Sequence, residues 1–299
     1  MIPTLADAFE VSPVVLDGGL ATQLEAQGHK LDSALWSARL LHDDPDAIVQ
    51  AHLAYFAAGA QVATTVSYQA SIDGFVQAGM TPAEAQKLIK RSVRLAEQAR
   101  ANCLDDHDRW IAGSVGPYGA ALADGSEYRG DYALSVQELS EWHRPRIELL
   151  AEAGVDILAL ETIPCLVEVE ALLAEIDGSG QPCWLTITCA GGRTRAGEPA
   201  EEAFSLARDV DEIVAVGVNC IDPADASALV RIASKAASKP AVIYPNSGER
   251  WDAVTKAWLG PATFQAEDVR DWITGGALLV GGCCRVGPTE IRAIRDLVA

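Results

Sequence analysis

Eight short runs of apolar and small residues recur along the 299-residue chain, and they constrain its fold more than any other feature. Most are nearly continuous in apolar residues, as expected of strands that are buried on both faces of a parallel sheet. The runs are VVLDGG (14–19), VATTVSY (62–68), WIAGSVG (110–116), ILALET (157–162), CWLTIT (183–188), IVAVGVNC (213–220), AVIYPNSG (241–248) and ALLVGGCC (277–284).

Segments with helical periodicity separate these runs. One begins at Asp44, a predicted N-cap that Pro45 follows, and ends at Gly59. A second opens at Thr81 in the same way, and a third carries Pro145 in its interior, where a kink is expected. The chain therefore alternates between strand and helix along its whole length.

This alternation predicts an α/β protein with the (β/α)8 TIM-barrel fold. No linker or shift in composition divides the chain, so we predict one barrel domain over residues 1–299. A doubly wound sheet is the alternative, because strand order cannot be read from one sequence. The second and third strands are far enough apart for an extra helix pair, and PYGAALADGSEYRGDY (117–132) is expected to form a long ordered loop.

Charge and composition exclude several classes of partner. Lys and Arg number 23 against 42 Asp and Glu, a net charge of −19 that argues against nucleic acid or an anionic membrane surface. The first residues lack the pattern of a signal peptide, and no apolar run reaches the ~18 residues of a membrane span. With seven cysteines, an odd number, these features predict a protein of the reducing cytoplasm.

Polar residues gather where the predicted strands end. In a barrel these positions converge on one face, which is where barrel enzymes place their active sites. The ends in question are Asp17-Gly18-Gly19, Ser67-Tyr68-Gln69, Glu161-Thr162, Asn219-Cys220, Asn246-Ser247-Gly248 and Gly282-Cys283-Cys284.

Three of these strand-end residues are thiols. Because the sixth and eighth strands are near neighbours in a barrel, Cys220 could meet Cys283 and Cys284 above its mouth. Three thiolates with an open fourth position describe a catalytic zinc site, and the preceding glycines would let the backbone turn both vicinal side chains towards one ion. Without the ion, Cys220 is expected within reach of one of the pair. The alternative is a small buried thiol beside an accidental pair.

A zinc ion that carries three protein thiolates has a net negative charge, which makes it a poor generator of hydroxide. It is better suited to bind a substrate thiol and to remove its proton while the sulfur stays nucleophilic. The thiol cluster therefore points to alkylation of sulfur.

Several segments together resemble the homocysteine S-methyltransferases, over about residues 11 to 298. The resemblance implies a zinc (β/α)8 barrel that converts homocysteine to methionine, with Zn²⁺ on Cys220, Cys283 and Cys284. It is closest to the cobalamin-independent enzymes that use S-methylmethionine or, more weakly, S-adenosylmethionine, so no cobalamin is expected. The matching segments are LDGGLATQLE, SYQAS, AGSVGPYGAALADGSEYRGDY, HRPRIELLAEAG, VGVNC, YPNSGE and GGCCRVGP.

The same resemblance assigns substrate-binding roles. Asp17 and Glu161 would hold the homocysteine ammonium group, and backbone N–H groups near Gly18 and Gly19 would receive its carboxylate. Trp36 and Tyr68 match positions that face a cationic donor in a betaine-using relative; the alternative for Trp36 is packing of the first loop onto the barrel. The remaining two candidates, Asn219 and Asn246, would orient the zinc thiolates or the substrate.

One segment departs from the family pattern. An acidic loop usually follows the fifth strand, whereas this chain has CAGGRTRAGEP with Arg193 and Arg195, so arginine could receive the carboxylate of the donor. The acceptor also stays open, since a selenocysteine methyltransferase fits the same motifs. Two further alternatives are a phosphate-binding barrel lyase and a thiol sensor or metal carrier, neither of which accounts for the whole set of polar strand ends.

Overall fold

Eight parallel strands form one sheet, and each of the eight predicted runs supplies one of them. A computed structural model describes residues 3–9, 11–29, 39–252 and 257–298, with residues 250–252 and 257 described through the backbone alone. The strands of the large sheet are β1 (Val14–Val15), β2 (Val62–Thr64), β3 (Trp110–Val115), β4 (Ile157–Ile163), β5 (Cys183–Ile187), β8 (Ile213–Asn219), β9 (Ala241–Tyr244) and β12 (Ala277–Val280). Two antiparallel pairs, β6 (Cys189–Ala190) with β7 (Arg193–Thr194) and β10 (Arg250–Asp252) with β11 (Ala257–Leu259), lie outside it.

The order of the strands confirms the barrel. Neighbours in the sheet follow one another in the chain, from β2 through β3, β4, β5, β8, β9 and β12 to β1. A parallel bridge between Leu16 and Val62 brings the two ends of the sheet together. The doubly wound alternative is wrong, because it requires a strand order that reverses part-way across the sheet.

Helices connect the strands and cover the outside of the barrel. The predicted extra helix pair between the second and third strands is present as α5 and α6, and no helix in the described ranges is long and apolar enough to cross a membrane. The helices are α1 (Leu5–Phe9), α2 (Leu20–Ala26), α3 (Leu40–Asp43), α4 (Pro45–Ala58), α5 (Ile72–Gln77), α6 (Pro82–Ala101), α7 (Tyr118–Leu122), α8 (Val136–Glu152), α9 (Leu166–Ile176), α10 (Ala200–Leu206), α11 (Pro223–Ala237), α12 (Val269–Thr274) and α13 (Pro288–Val298).

Local sequence signals set the ends of the predicted helices. The Asp44 carboxylate accepts the Ala47 N–H at 3.2 Å and caps α4, which ends at Gly59 with a φ of 101°. α8 passes through Pro145 as one element. The segment 117–132, expected as an ordered loop, contains α7 and a 3-10 turn at Ser126–Tyr128.

Alternating residues of the strands divide the core into two layers. In β4, Ile157 and Ala159 belong to the cluster inside the barrel, whereas Leu158 and Leu160 pack in the layer between strands and helices. Leu5 of α1 joins the inner cluster. Apolar packing thus fills the barrel interior below the carboxyl ends of the strands.

The start of α6 gives a test of the helix signals. Thr81 and Glu84 form a capping box, in which each side chain accepts the backbone N–H of the other residue at 3.3 and 2.8 Å. Thr81→Ala should lower the free energy of unfolding by about 1 kcal/mol, measured by urea denaturation. Thr81→Ser, which keeps the hydroxyl, should stay close to the parent; an equal loss in both variants would contradict the capping role.

Candidate active site

Three thiols meet at the carboxyl end of the barrel, as the strand-end pattern predicted. Cys220 follows β8, Cys283 and Cys284 follow β12, and their sulfur atoms all lie within 4.8 Å of one another. Thiolates that each bind one tetrahedral Zn²⁺ at about 2.3 Å lie roughly 3.8 Å apart, so the donor set fits such an ion. In this structure Cys220 and Cys283 are joined as a disulfide and Cys284 is free, so Cys220 does reach one member of the pair.

The glycines before the vicinal pair serve close packing, and the expectation that they let the backbone turn is wrong. Neither is among the described residues with positive φ; the positive φ in this segment belongs to Arg285, at 66°. A Cβ on Gly281 would lie 2.7 Å from the Leu16 Cβ, and one on Gly282 would lie 2.1 Å from the Val286 Cγ1. Any side chain there would push the cysteine loop away from the barrel.

Asn246 and Asn219 have different partners, so the structure separates two roles that the sequence left together. The Asn246 Oδ1 atom accepts the backbone N–H of Cys284 at 3.1 Å and thereby holds the vicinal pair. The fully buried Asn219 instead accepts the Thr162 N–H and donates to the Thr162 hydroxyl, both at 2.7 Å. Thr162 has a φ of 62°, unfavourable for a β-branched residue, and these two bonds offset that strain.

Asp17 is a buried carboxylate at the end of the first strand. One of its oxygens accepts the Thr64 N–H at 2.7 Å and the other accepts the Thr64 hydroxyl at 2.9 Å. Burial raises the pKa of Asp17 to about 7, the hydrogen bonds from Thr64 oppose that rise, and the charge of Glu161 adds to it. Asp17 is therefore poised between its charged and neutral forms near neutral pH.

Glu161 belongs to a hydrogen-bonded network inside the top of the barrel. Its carboxylate accepts from the Ser114 hydroxyl and, at 3.1 Å, from the Tyr244 hydroxyl. Tyr244 in turn accepts from the Trp184 Nε1 atom at 3.1 Å and contacts the Thr186 hydroxyl at 2.9 Å. Burial raises the pKa of Glu161, and the two hydroxyl donors oppose that rise.

Sequence reasoning missed the members of this network other than Glu161. Ser114 and Tyr244 lie inside the predicted strands and not at the strand ends that define the predicted site. The signal that could have found them is the two-residue period of a strand, because Tyr244 belongs with Val242 to the cluster inside the barrel.

The turn after β1 is packed tightly against the cysteine loop. A Cβ on Gly18 would lie 2.3 Å from the Val286 carbonyl oxygen, so only glycine fits. The Gly19 N–H donates to the same oxygen at 3.0 Å. The Gly19 N–H therefore has a partner within the protein, and the expectation that N–H groups near Gly18 and Gly19 receive the substrate carboxylate stays a prediction.

Two tyrosines and a carboxylate border the thiols on the side of the third strand. Tyr68 lies against Gly116, where a Cβ would be only 2.6 Å from its ring. Burial raises the pKa of Tyr68 well above its usual value, helped by Tyr128, Glu127 and Glu161. The Glu127 Oε2 atom is buried and has no hydrogen-bond partner among the described residues. Sequence reasoning did not single out Glu127, and Trp36 lies outside the described residues.

The two arginines of the loop after β5 have different surroundings. Arg193 is exposed, and its Nη1 atom donates to the Gly197 carbonyl at 2.7 Å within its own loop. Arg195 is half-buried, its guanidinium lies 5.6 Å from the centre of the Tyr128 ring, and its Nε atom donates to the Thr188 hydroxyl at 3.2 Å. Only Arg195 of the two therefore faces the tyrosines at the rim.

Comparison with known proteins agrees with this geometry. The homocysteine S-methyltransferase family matches residues 14–298. The homocysteine S-methyltransferase YbgG of Bacillus subtilis is 44% identical over 94% of this chain and 93% of its own, and a selenocysteine Se-methyltransferase of Brassica oleracea is 41% identical over 94% and 87%. The metallated form of the Escherichia coli homocysteine methyltransferase MmuM has a TM-score of 0.88 and 38% identity, covering 98% of this chain and 99% of that one.

A barrel with a rim of thiols and buried carboxylates thus defines an enzyme of the methyltransferase class. The chain belongs to the homocysteine S-methyltransferase family. The resemblance read from the sequence is confirmed, and the lyase and metal-carrier alternatives are set aside.

The raised pKa of Asp17 predicts a pH-dependent cost in stability. Since folding raises the pKa from 3.8 to about 7, the buried charge destabilises the folded state above that pH, and the cost shrinks as the pH falls. Asp17→Asn keeps an acceptor and a donor for Thr64. It should have the higher free energy of unfolding at about pH 8, with the difference narrowing towards about pH 5 in urea denaturation. A difference that does not change with pH would contradict this assignment.

Proposed function

We propose that this enzyme transfers a methyl group from a sulfonium donor to the thiol of homocysteine, giving methionine, with Zn²⁺ held by Cys220, Cys283 and Cys284. S-methylmethionine is the proposed donor, with S-adenosylmethionine as a second. The observation that carries the proposal is the shared rim, where the three sulfur atoms lie within 4.8 Å of one another and where the carboxylates of Asp17 and Glu161 are buried in the same barrel.

The three thiols would hold the group that activates the nucleophile. Zn²⁺ held by Cys220, Cys283 and Cys284 would lower the pKa of a substrate thiol, so that homocysteine could react as a thiolate near neutral pH. The protein would fix these ligands through the Asn246 contact to the Cys284 N–H and through Asn219, which precedes Cys220 in the chain and is hydrogen-bonded to Thr162. No general base is required among the side chains.

Two buried carboxylates suit the ammonium group of an amino-acid acceptor. Burial raises the pKa of both Asp17 and Glu161, and the charge of Glu161 raises that of Asp17 further. A substrate cation between them offsets this repulsion and favours the charged form of each. Binding of homocysteine thus relieves an electrostatic cost that the free enzyme carries.

Aromatic rings and a carboxylate suit the sulfonium donor. A sulfonium has no proton to donate, so it is bound by the faces of aromatic rings and by negative charge. Tyr68 and Tyr128 provide the rings, and the Glu127 Oε2 atom, which has no hydrogen-bond partner in the described part of the chain, provides charge beside them. Trp36, outside the described residues, remains a proposed second wall of this subsite.

The reaction follows from the placement of these groups. The homocysteine thiolate attacks the methyl carbon in line with the departing sulfur; a carbon–sulfur bond forms, another breaks, and neutral methionine leaves when S-methylmethionine is the donor. Because negative and positive charges neutralise each other, a site that excludes water favours the transition state over the separated reactants.

Selenocysteine methylation is a second candidate. The observation that favours it is the similarity to the Brassica oleracea selenocysteine Se-methyltransferase over most of both chains. Selenocysteine carries the same ammonium and carboxylate groups as homocysteine, with selenium in place of sulfur and a side chain one methylene shorter.

The primary test is methyl transfer by the purified protein. With homocysteine and S-methylmethionine it should form methionine and contain about one zinc per chain, measured by chromatography and metal analysis. Cys283→Ser should keep its circular dichroism spectrum, because the apolar core lies below the cysteine loop, and should lose most zinc and essentially all transfer.

Cys103→Ser is the matched control, because the Cys103 sulfur donates to the Ala99 carbonyl on α6, an interaction that a serine can keep. It should retain zinc and activity. A Cys283→Ser protein that turns over fully without zinc, or a parent protein that is inactive with every sulfonium and acceptor, would refute the proposal.

Glu161→Gln tests the acceptor subsite. Glutamine can keep contacts with Ser114 and Tyr244 but loses the charge, so the KM for homocysteine should rise about tenfold or more while zinc content stays unchanged. Glu152→Gln, which removes an exposed carboxylate paired with Lys90, should leave both quantities unchanged. Loss of zinc from Glu161→Gln would assign the carboxylate to support of the metal instead.

A further inference from the structure

The half-buried guanidinium of Arg195 stands beside the proposed donor subsite, and no carboxylate among the described residues pairs with it. It forms no ion pair with a carboxylate in the part of the chain that the structure describes. Within those same ranges its guanidinium donates one hydrogen bond, from Nε to Thr188, so that the two Nη groups remain for a ligand. In a chain of net charge −19, a partly buried arginine without a carboxylate calls for an explanation.

Arg195 is directed to the reaction site by two contacts. Its guanidinium lies 5.6 Å from the centre of the Tyr128 ring, and Tyr128 is near enough to Cys284 and Glu127 to interact with both electrostatically. The Thr188 hydroxyl that accepts from Arg195 itself donates to the Cys220 carbonyl at 3.3 Å. The arginine is therefore tied to the thiol cluster on one side and to Tyr128 on the other.

The loop that carries Arg195 is rigidly built. β6 and β7 form a tight hairpin whose turn residues, Gly191 and Gly192, both have positive φ. The Glu198 carboxylate accepts from the Thr194 hydroxyl and from the Leu166 N–H, which ties the hairpin to α9. The position of Arg195 is thus fixed in advance, which lowers the entropy cost of binding a ligand.

Charge decides what such a ligand must contain. The guanidinium repels a sulfonium cation, and a negative group on the donor itself offsets that repulsion in addition to the charge of Glu127. A carboxylate fits the two Nη groups as a paired acceptor. Sulfonium donors that are α-amino acids carry this group.

We propose that Arg195 binds the carboxylate of the methyl donor and so restricts the enzyme to sulfonium donors that are α-amino acids. This inference rests on the proposed function. Arg195 selects the class of donor and does not distinguish S-methylmethionine from S-adenosylmethionine, since both carry the carboxylate.

The test compares two donors that differ only at this group, S-methylmethionine and its carboxamide. Arg195→Gln should lower kcat/KM for S-methylmethionine by about tenfold to a hundredfold and leave kcat/KM for the carboxamide unchanged or raised. Arg195→Lys should recover part of the loss. Calorimetric titration of S-methylmethionine without homocysteine should show the highest affinity for the parent, a lower one for Arg195→Lys and the lowest for Arg195→Gln.

Arg193→Gln is the matched control, because Arg193 is exposed and bonds only within its own loop, and it should match the parent with both donors. An equal loss with both donors in Arg195→Gln would assign the residue to support of Cys220 and overturn the inference. A rise confined to the KM for homocysteine would place the carboxylate of the acceptor there instead and would overturn it as well. Failure of the parent with every sulfonium refutes the proposed function, a result distinct from either of these.

Discussion

The closed ring of parallel strands is the constraint on which the rest of the structure depends. Each strand pairs with the next in chain order, and the bridge from Leu16 to Val62 joins the ends. Parallel pairing brings every carboxyl end to one rim. Residues as distant in sequence as Asp17, Glu161 and Cys283 become neighbours around one site without any of them having to stabilise the fold.

The rim concentrates groups that are costly to bury. Asp17 and Glu161 have raised pKa values, Thr162 holds a strained backbone, and Cys220 also has a positive φ, of 51°. Such strain and buried charge persist only where the surrounding structure fixes them, and they mark functional sites. The hydrogen bonds that fix these groups are identifiable. The Thr64 N–H and hydroxyl donate to Asp17, and Asn219 is hydrogen-bonded to Thr162.

Ligands complete this electrostatic arrangement. In the proposed reaction, the ammonium group of the acceptor compensates the two carboxylates. In the same proposal the sulfonium contacts the tyrosines and Glu127, and the carboxylate of the donor contacts Arg195. Each substrate group thus has the opposite charge to the protein group that binds it. The thiolate of the acceptor and the sulfonium of the donor neutralise each other in the reaction. The proposed role of Arg195 connects the loop after β5 to the choice of donor.

The sequence by itself determined the barrel, the eight strands and the convergence of three thiols, because hydrophobic period and strand-end polarity are local signals that survive in a linear chain. Only the tertiary structure decided which atoms meet. In the folded chain Asn219 is hydrogen-bonded to Thr162, and the Gly19 N–H donates to the Val286 carbonyl. Close packing against Leu16 and Val286 explains the two glycines before the cysteines. Those facts depend on distances between separate strands, which no spacing along the chain encodes. Arg193 and Arg195 are likewise only two residues apart in the chain. The path of the folded hairpin decides that Arg195, and not Arg193, lies towards the site.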